Sequence, residues 1–152
     1  MTPSDNCLSL IKSEEGCVLN PYLDQANIPT IGWGTTRYPN GDYVTMQDAP
    51  ITQDQADYFL QCDVEDTATA VNAMIPAGLN QNQYDALVDF AYNAGTGALH
   101  GSTLLKLIKA DPQDPNITNA FCMWDKVHVD GQLEVSNGLL QRRKKEAALY
   151  FS

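Results

Sequence analysis

The segments EGCVLNPYLD (residues 15–24) and PTIGWGT (residues 29–35) decide the fold of this 152-residue chain. An apolar helical pattern precedes them and runs into Gly16, the residue type that most often ends a helix in the left-handed conformation. Beyond it, short apolar and polar alternations broken by proline and glycine predict a small antiparallel sheet. We therefore expect Glu15 at the end of a helix and Asp24 in the sheet.

Two carboxyl groups with different surroundings are what cleavage of a glycosidic bond requires, because one must donate a proton while the other stays ionised. Glu15 and Asp24 supply such a pair within ten residues. Taken singly, each has an ordinary interpretation: a charged helix end for Glu15 and a turn residue for Asp24. Glu14 is the competing acid, and we assign the role to Glu15 because it alone precedes Gly16.

The chain resembles the bacteriophage lysozymes and endolysins of glycoside hydrolase family 24. In that family a Glu-Gly pair ends the first helix, and an Asp and then the Thr of a T-I-G-x-G motif follow it. Glu15, Asp24 and Thr30 match that spacing. Further family motifs follow in order: QYDALVDFAYNAG at 83–95, STLL at 102–105 and GLLQRRKKE at 138–146. One departure stands beside the site, where the family often has a histidine and this chain has Thr35 and Thr36.

The resemblance implies a hydrolase that cleaves the β-1,4 bond between N-acetylmuramic acid and N-acetylglucosamine in bacterial peptidoglycan, with inversion at the anomeric carbon. Glu15 would protonate the leaving oxygen. Asp24 would hold the attacking water or support the oxocarbenium charge, and Thr30 would hydrogen-bond that water. We expect no cofactor and no metal, since the chain lacks the histidine and cysteine spacings of metal sites.

Three residues beside Thr30 are candidates for contact with the substrate. Trp33 offers an aromatic face to a sugar. Gly32 and Gly34 either let a sugar approach the backbone or permit a tight hairpin, and the sequence leaves both roles open. The chain's other tryptophan, Trp124, is assigned to the core.

A cluster of basic residues lies at 142–145, near the C-terminus. Its simplest interpretation is a solvated helix face, which the helix dipole would favour. The family resemblance implies instead that one of its arginines forms an ion pair with Glu15, and we favour Arg142 over Arg143 for that role.

The patterns together predict an α+β fold, a mainly α-helical, lysozyme-like single domain over residues 1–152. A small antiparallel sheet lobe spans about 17–50. A long helix, beginning at the capping-box pattern Thr52-x-x-Gln55, joins it to a helical lobe over about 76–152, with the N-terminal helix packed nearby. Further helices are expected at 82–93, 102–110, 117–125 and 139–150.

The formal net charge of −10 argues against a nucleic-acid partner. A negative protein also gains no long-range attraction to anionic wall polymers, so we expect activity to depend on salt or divalent cations. The N-terminal residues contain no apolar run long enough for a signal peptide or a membrane anchor.

The family resemblance implies a protein that acts on peptidoglycan glycan chains, and we expect it to be a monomer. The resemblance to soluble phage endolysins implies that it stays in the host cytoplasm until a holin-type partner permeabilises the membrane, and then reaches the cell wall. The four cysteines lack a C-x-x-C spacing and are expected to be reduced and mostly buried.

Two alternative functions remain open from the sequence. A lytic transglycosylase needs one catalytic acid and releases 1,6-anhydromuramic products without adding water. A wall-binding or virion-associated structural module would keep the fold without turnover. The intact set of Glu15, Asp24 and Thr30 argues against the second alternative.

Overall fold

The computed structural model describes residues 1–152 and has the predicted mainly helical α+β fold, with two small antiparallel sheets where one was expected. Its elements in chain order are α1 (Asp5–Glu15), β1 (Val18–Leu23), β2 (Pro29–Gly32), α2 (Gln53–Asn72), α3 (Gln81–Ala94), α4 (Thr96–Gly101), α5 (Thr103–Ala110), α6 (Ile117–Cys122), β3 (Lys126–Val129), β4 (Gln132–Val135) and α7 (Asn137–Tyr150). None of these helices is both long and apolar enough to cross a membrane.

The chain forms two compact units. The first, here called the sheet unit, comprises Leu8–Asp66 and therefore carries Glu15, Asp24 and Thr30. The second, here called the helical unit, comprises Met1–Cys7 and Thr67–Ser152.

In the sheet unit, β1 and β2 pair antiparallel over the segment where the sequence predicts a sheet. Tyr22 stands opposite Thr30, and the register shifts between Val18 and Tyr22. The rest of the predicted sheet is reduced to two isolated bridges, Ile31 with Thr35 and Arg37 with Tyr43. Turn-forming residues interrupt this segment, so long strands cannot develop there.

The helix ends of the sheet unit follow the local sequence signals. Gly16, at φ 65°, ends α1 immediately after Glu15. At the start of α2, the Gln55 amide donates to Thr52 Oγ1 at 3.1 Å and the Thr52 amide donates to Gln55 Oε1 at 2.9 Å. This reciprocal pair confirms the predicted capping box.

The helical unit is built around α3, whose residues 83–91 are all buried and which packs against α7. The predicted starts and ends of α3, α5 and α7 are confirmed to within two residues. The basic cluster is not a fully solvated face, because Arg142 and Arg143 are buried. They bind acidic side chains that the apolar interior would otherwise leave unpaired, and only Lys144 and Lys145 are exposed.

Two elements of the helical unit were missed by the sequence analysis: the short helix α4 and the hairpin of β3 and β4. The hairpin turns at Asp130 and Gly131, both with positive φ, which is the geometry that an Asp-Gly pair between alternating strands favours. Because the chain enters this hairpin at Lys126, α6 ends at Cys122 instead of the predicted residue 125.

The cysteines are less buried than predicted. All four are free, and Cys7 is the one buried thiol, whereas Cys17, Cys62 and Cys122 are partly exposed. Burial raises the pKa of Cys7 well above its usual range, because the apolar surroundings disfavour the thiolate.

Candidate active site

Glu15 is the last residue of α1, and its side chain is partly exposed. The helix delivers it there because the next residue, Gly16, leaves the helical conformation. The predicted position of the acid at a helix end is therefore confirmed. Glu14 is also partly exposed, so burial alone does not separate the two neighbouring carboxyls.

Tyr22 links the positions of the two proposed catalytic carboxyls. Its pKa is raised, first by burial and then by the negative charges of Glu15 and Asp24. Both negative charges therefore disfavour ionisation of this hydroxyl. Along the chain, Glu15 lies just before β1 and Asp24 lies directly after it.

Asp24 follows directly after β1 and is held by its own loop. Its Oδ1 accepts hydrogen bonds from the amides of Ala26 at 2.8 Å and Ile28 at 2.9 Å. The turn interpretation considered for this residue is therefore correct, and it fixes the orientation of the carboxyl group. The second oxygen, Oδ2, is not used by these bonds.

Thr30 lies in β2 opposite Tyr22, with a side chain that is 2 % exposed. Its hydroxyl donates to the carbonyl oxygen of Ile28 at 2.8 Å. The proton of the hydroxyl is therefore committed, while its oxygen can still accept a hydrogen bond. A water beside Thr30 would thus donate to the threonine oxygen.

The two glycines after Thr30 form a tight hairpin. Ile31 and Thr35 exchange backbone hydrogen bonds of 2.9 Å in both directions, which leaves Gly32, Trp33 and Gly34 as the loop. The glycines have φ values of 64° and 101°, respectively, in the region that favours glycine.

Gly32 also packs closely against α2. A Cβ atom at this position would lie 3.3 Å from Cβ of Ala56. Of the two roles that the sequence left open, the hairpin and its packing account for Gly32. Contact between either glycine and a sugar stays a prediction.

Trp33 is partly exposed and has protein partners on its nitrogen and its ring. The indole Nε1 donates to Asp57 Oδ1 at 2.7 Å, and Lys12 Nζ lies 5.4 Å from the ring centroid. These contacts fix the orientation of the indole. Its contact with substrate stays a prediction.

Thr35 occupies the place where the family often has another residue, and it is buried. Its hydroxyl donates to Asp63 Oδ2 in α2 at 2.9 Å. Burial raises the pKa of Asp63 to about 6, and the bond from Thr35 opposes that shift only in part. The departure from the family pattern therefore coincides with a partly buried, titratable carboxyl.

Arg142 binds Asp89 in the helical unit through two hydrogen bonds, from Nε at 3.1 Å and from Nη2 at 2.8 Å. Its Nε also lies 3.7 Å from Glu146 Oε1. Arg143 binds the same Glu146 oxygen at 2.6 Å and Asn93 at 2.8 Å. The predicted ion pair of Arg142 with Glu15 is untested and stays a prediction.

A cavity of about 500 Å³ in the helical unit was not anticipated. Trp124 lines it and packs edge-on against Phe90, with ring centroids 5.7 Å apart. This tryptophan is 36 % exposed, so its assignment to the core was wrong. Lys126 and His128 of the missed hairpin also line the cavity, and the Asp-Gly pair was the sequence signal for that hairpin.

Comparison with known proteins identifies relatives over the whole chain. The sequence profile of the phage lysozyme family matches residues 12–146. The endolysin of Acyrthosiphon pisum secondary endosymbiont phage 1 is 37% identical over 150 residues, which cover 98% of this chain and 97% of that protein.

Solved structures agree with the sequence relatives. An endolysin from Escherichia coli O157:H7 phage FAHEc1 superposes with a TM-score of 0.92 at 41% identity, over 100% of this chain and 94% of that one. The muramidase domain of SpmX from Asticaccaulis excentricus superposes with a TM-score of 0.84 at 29% identity, over 98% and 97% of the two chains.

Proposed function

The chain belongs to the phage lysozyme family and is a peptidoglycan-degrading hydrolase of the endolysin type, and from that premise we propose that it is a muramidase. The bond cleaved is the β-1,4 linkage between N-acetylmuramic acid and N-acetylglucosamine. The observation that supports the proposal is the placement of Glu15 at the end of α1 and of Asp24, held by its loop amides, directly after β1. Two carboxyls with different surroundings are the groups that glycoside hydrolysis uses.

In the proposed reaction, Glu15 is the general acid. It transfers its proton to the glycosidic oxygen as the bond to the anomeric carbon breaks, so the leaving sugar departs as an alcohol. Glu15 is partly exposed at the end of α1, as a residue that meets substrate must be. Positive charge then develops on the ring of the other sugar.

Asp24 and Thr30 bind and orient the attacking water in the proposed reaction. Asp24 Oδ1 is held by the loop amides, which leaves Oδ2 to accept a proton from the water or to face the developing positive charge. The Thr30 oxygen accepts a second hydrogen bond from the same water, because its own proton is donated to Ile28. Attack from the face opposite the leaving group would give inversion.

Substrate contacts extend along the hairpin loop. We assign the sugar-facing surface to Trp33, together with the backbone at Gly32 and Gly34. The tight loop requires a positive φ at both positions, which glycine adopts readily. Because glycine has no side chain, a sugar could approach the backbone there.

The biological role that fits this chemistry is lysis of the bacterial host. We propose that a monomer acts on the wall after a holin-type protein permeabilises the membrane. The formal net charge of −10 favours dependence of the activity on added salt or divalent cations, because anionic wall polymers repel the protein at low ionic strength.

The products of purified peptidoglycan test the proposed reaction. Digestion in ¹⁸O-labelled water should place the label on the reducing carbon of N-acetylmuramic acid, and proton NMR of the first products should show the α anomer. Label on N-acetylglucosamine, or release of free stem peptides, would contradict cleavage at this bond.

One observation favours a second candidate, a lytic transglycosylase. Asp24 Oδ1 accepts hydrogen bonds from two loop amides, so Asp24 has a structural role. A transglycosylase could keep Asp24 for that role and use Glu15 as its sole catalytic acid. Replacing Asp24 by Asn keeps the turn acceptor and removes the charge. A transglycosylase would keep its turnover in that variant and yield unlabelled 1,6-anhydro products, whereas the muramidase would lose most of its activity.

A further inference from the structure

A single carboxylate oxygen, Oδ1 of Asp57, joins three parts of the sheet unit. It accepts hydrogen bonds from Trp33 Nε1 at 2.7 Å and from Gln53 Nε2 at 3.1 Å. Lys12 Nζ lies 3.1 Å from the same oxygen. Lys12 belongs to α1, Trp33 to the hairpin loop, and both Gln53 and Asp57 to α2.

The partners of Asp57 also contact each other. Lys12 Nζ lies 5.4 Å from the centroid of the Trp33 ring, so the ammonium group meets the indole face while both bind the carboxylate. The hydrogen bond from Trp33 is the leading cause of a lowered pKa for Asp57, which keeps this carboxylate charged at neutral pH.

Two members of the cluster lie close along the chain to proposed catalytic residues. Lys12 precedes Glu15 by about one helical turn, at the end of α1. Trp33 lies in the loop that directly follows the strand of Thr30. Asp57 therefore connects the helix end that carries the acid with the hairpin that continues from the threonine.

We propose that Asp57 is a positioning residue for the reaction, which through Lys12 and Trp33 sets the distance between Glu15 and Thr30. This inference rests on the proposed function. Asp57 touches no reacting atom, and its effect is on geometry, because a misplacement of about 1 Å can lower a rate by about 10²-fold.

The exposure of the cluster distinguishes positioning from general stabilisation. The side chains of Lys12 and Asp57 are 35% and 40% exposed, and ion pairs at that exposure contribute little to folding. Loss of Asp57 should therefore lower the turnover number clearly while it leaves the thermal unfolding midpoint almost unchanged.

The first test measures kcat and KM of Asp57→Ala on soluble, uncross-linked glycan strands. We expect kcat to fall by about tenfold and KM to change by less than about twofold. Asp57→Asn, which keeps an acceptor for Trp33, should recover part of the loss. Asp54→Ala removes an exposed carboxylate from the same first turn of α2 and should match the wild type.

The second test asks whether Asp57 and Trp33 act as one unit. Trp33→Phe keeps an aromatic ring and removes the indole N–H, so it should lower kcat less than Asp57→Ala does. The double variant should be no slower than Asp57→Ala alone. The inference would be overturned if the losses in kcat of the two single variants multiply in the double variant, or if Asp57→Ala keeps the wild-type kcat.

A spectroscopic readout needs no catalysis. The chain has two tryptophans, so its ¹H–¹⁵N spectrum holds two indole peaks, and Trp33→Phe assigns them. The Trp33 indole peak should move in Asp57→Ala and stay in place in Asp54→Ala. An unmoved peak in Asp57→Ala would reject the cluster itself.

Failure of the inference is separable from failure of the proposed function. If the wild type releases no muramidase products, the proposed function fails, and the positioning role fails with it. If the wild type turns over and Glu15→Gln abolishes turnover while Asp57→Ala remains fully active, the positioning role alone is rejected.

Discussion

Tyr22 stands opposite Thr30 across the β1–β2 pair, and Asp24 follows β1 two residues after this tyrosine. One strand pair thus relates the proposed acid, the second carboxyl and the threonine. The residues lie at the end of α1, directly after β1 and within β2, so their relative positions depend on the register of the strands. The register in turn sets which side chains share one face of the sheet.

The Thr30 hydroxyl should be required for turnover. Thr30→Val keeps the shape but removes the oxygen that would accept a hydrogen bond from the water, and we expect kcat to fall by about 10²-fold. Thr30→Ser keeps the hydroxyl and should retain most of the activity. Initial rates on purified peptidoglycan measure both variants, and equal rates for Val and Ser would contradict the role.

Gly32 should tolerate alanine less well than Gly16. Both have φ near 65°, so alanine costs about 1–2 kcal/mol of backbone strain at either position. At Gly32 the new methyl group would also meet Ala56 Cβ at 3.3 Å, whereas at Gly16 nothing lies within 4 Å. Urea unfolding should therefore show the larger loss for Gly32→Ala, and the reverse order would refute the packing role.

Breaking the ion pair of Arg142 with Asp89 should strongly lower the free energy of unfolding of the helical unit. The two side chains are 5% and 0% exposed, and removing one partner of a buried pair costs about 3–5 kcal/mol because the other charge is left unpaired. Arg142→Met should thus lower the free energy of unfolding strongly. Lys144→Met, a change on the exposed face of the same helix, is the control, and similar losses in the two variants would be inconsistent with this pair.

Asp63 should make the protein less stable as the pH rises. Its pKa is about 6 in the folded state, raised by burial above a value of about 4 in the unfolded chain. The unfolded state therefore loses this proton first, and the stability present below about pH 4 is lost as the pH rises through 6.

Asp63→Asn tests that pH dependence. The variant should equal the wild type at about pH 4 and exceed its unfolding free energy at neutral pH by roughly 1 kcal/mol, a value reduced by partial solvation of the site. Unfolding curves between these pH values measure the difference. A constant difference across the range would count against titration of Asp63.

The local signals in the sequence predicted the ends of several elements correctly. Gly16 ends α1, and Thr52 with Gln55 caps α2, because these features depend on a few neighbouring residues. The Asp130-Gly131 turn was an equally local signal that was overlooked.

Other features depended on contacts between distant residues, which spacing alone does not encode. The burial of Arg142 and Arg143 follows from the positions of Asp89 and Glu146 after α3 and α7 pack together. Likewise, the place of Trp33 beside Thr30 indicated contact with a sugar, but not the hydrogen bond to Asp57, which comes from α2. The motif spacing indicated the three proposed catalytic residues. It did not indicate the strand register, which places Thr30 opposite Tyr22.

The most direct measurement compares Glu15→Gln with Glu14→Gln in release of soluble fragments from purified peptidoglycan. Both variants replace one carboxyl by an amide of the same shape at the end of α1. We predict that Glu15→Gln loses more than about 10³-fold in turnover with its fold intact by circular dichroism, because the proton donor is gone, whereas Glu14→Gln stays near the wild type. Full turnover by Glu15→Gln, or a comparable loss in Glu14→Gln, would contradict the assignment of Glu15 as the acid.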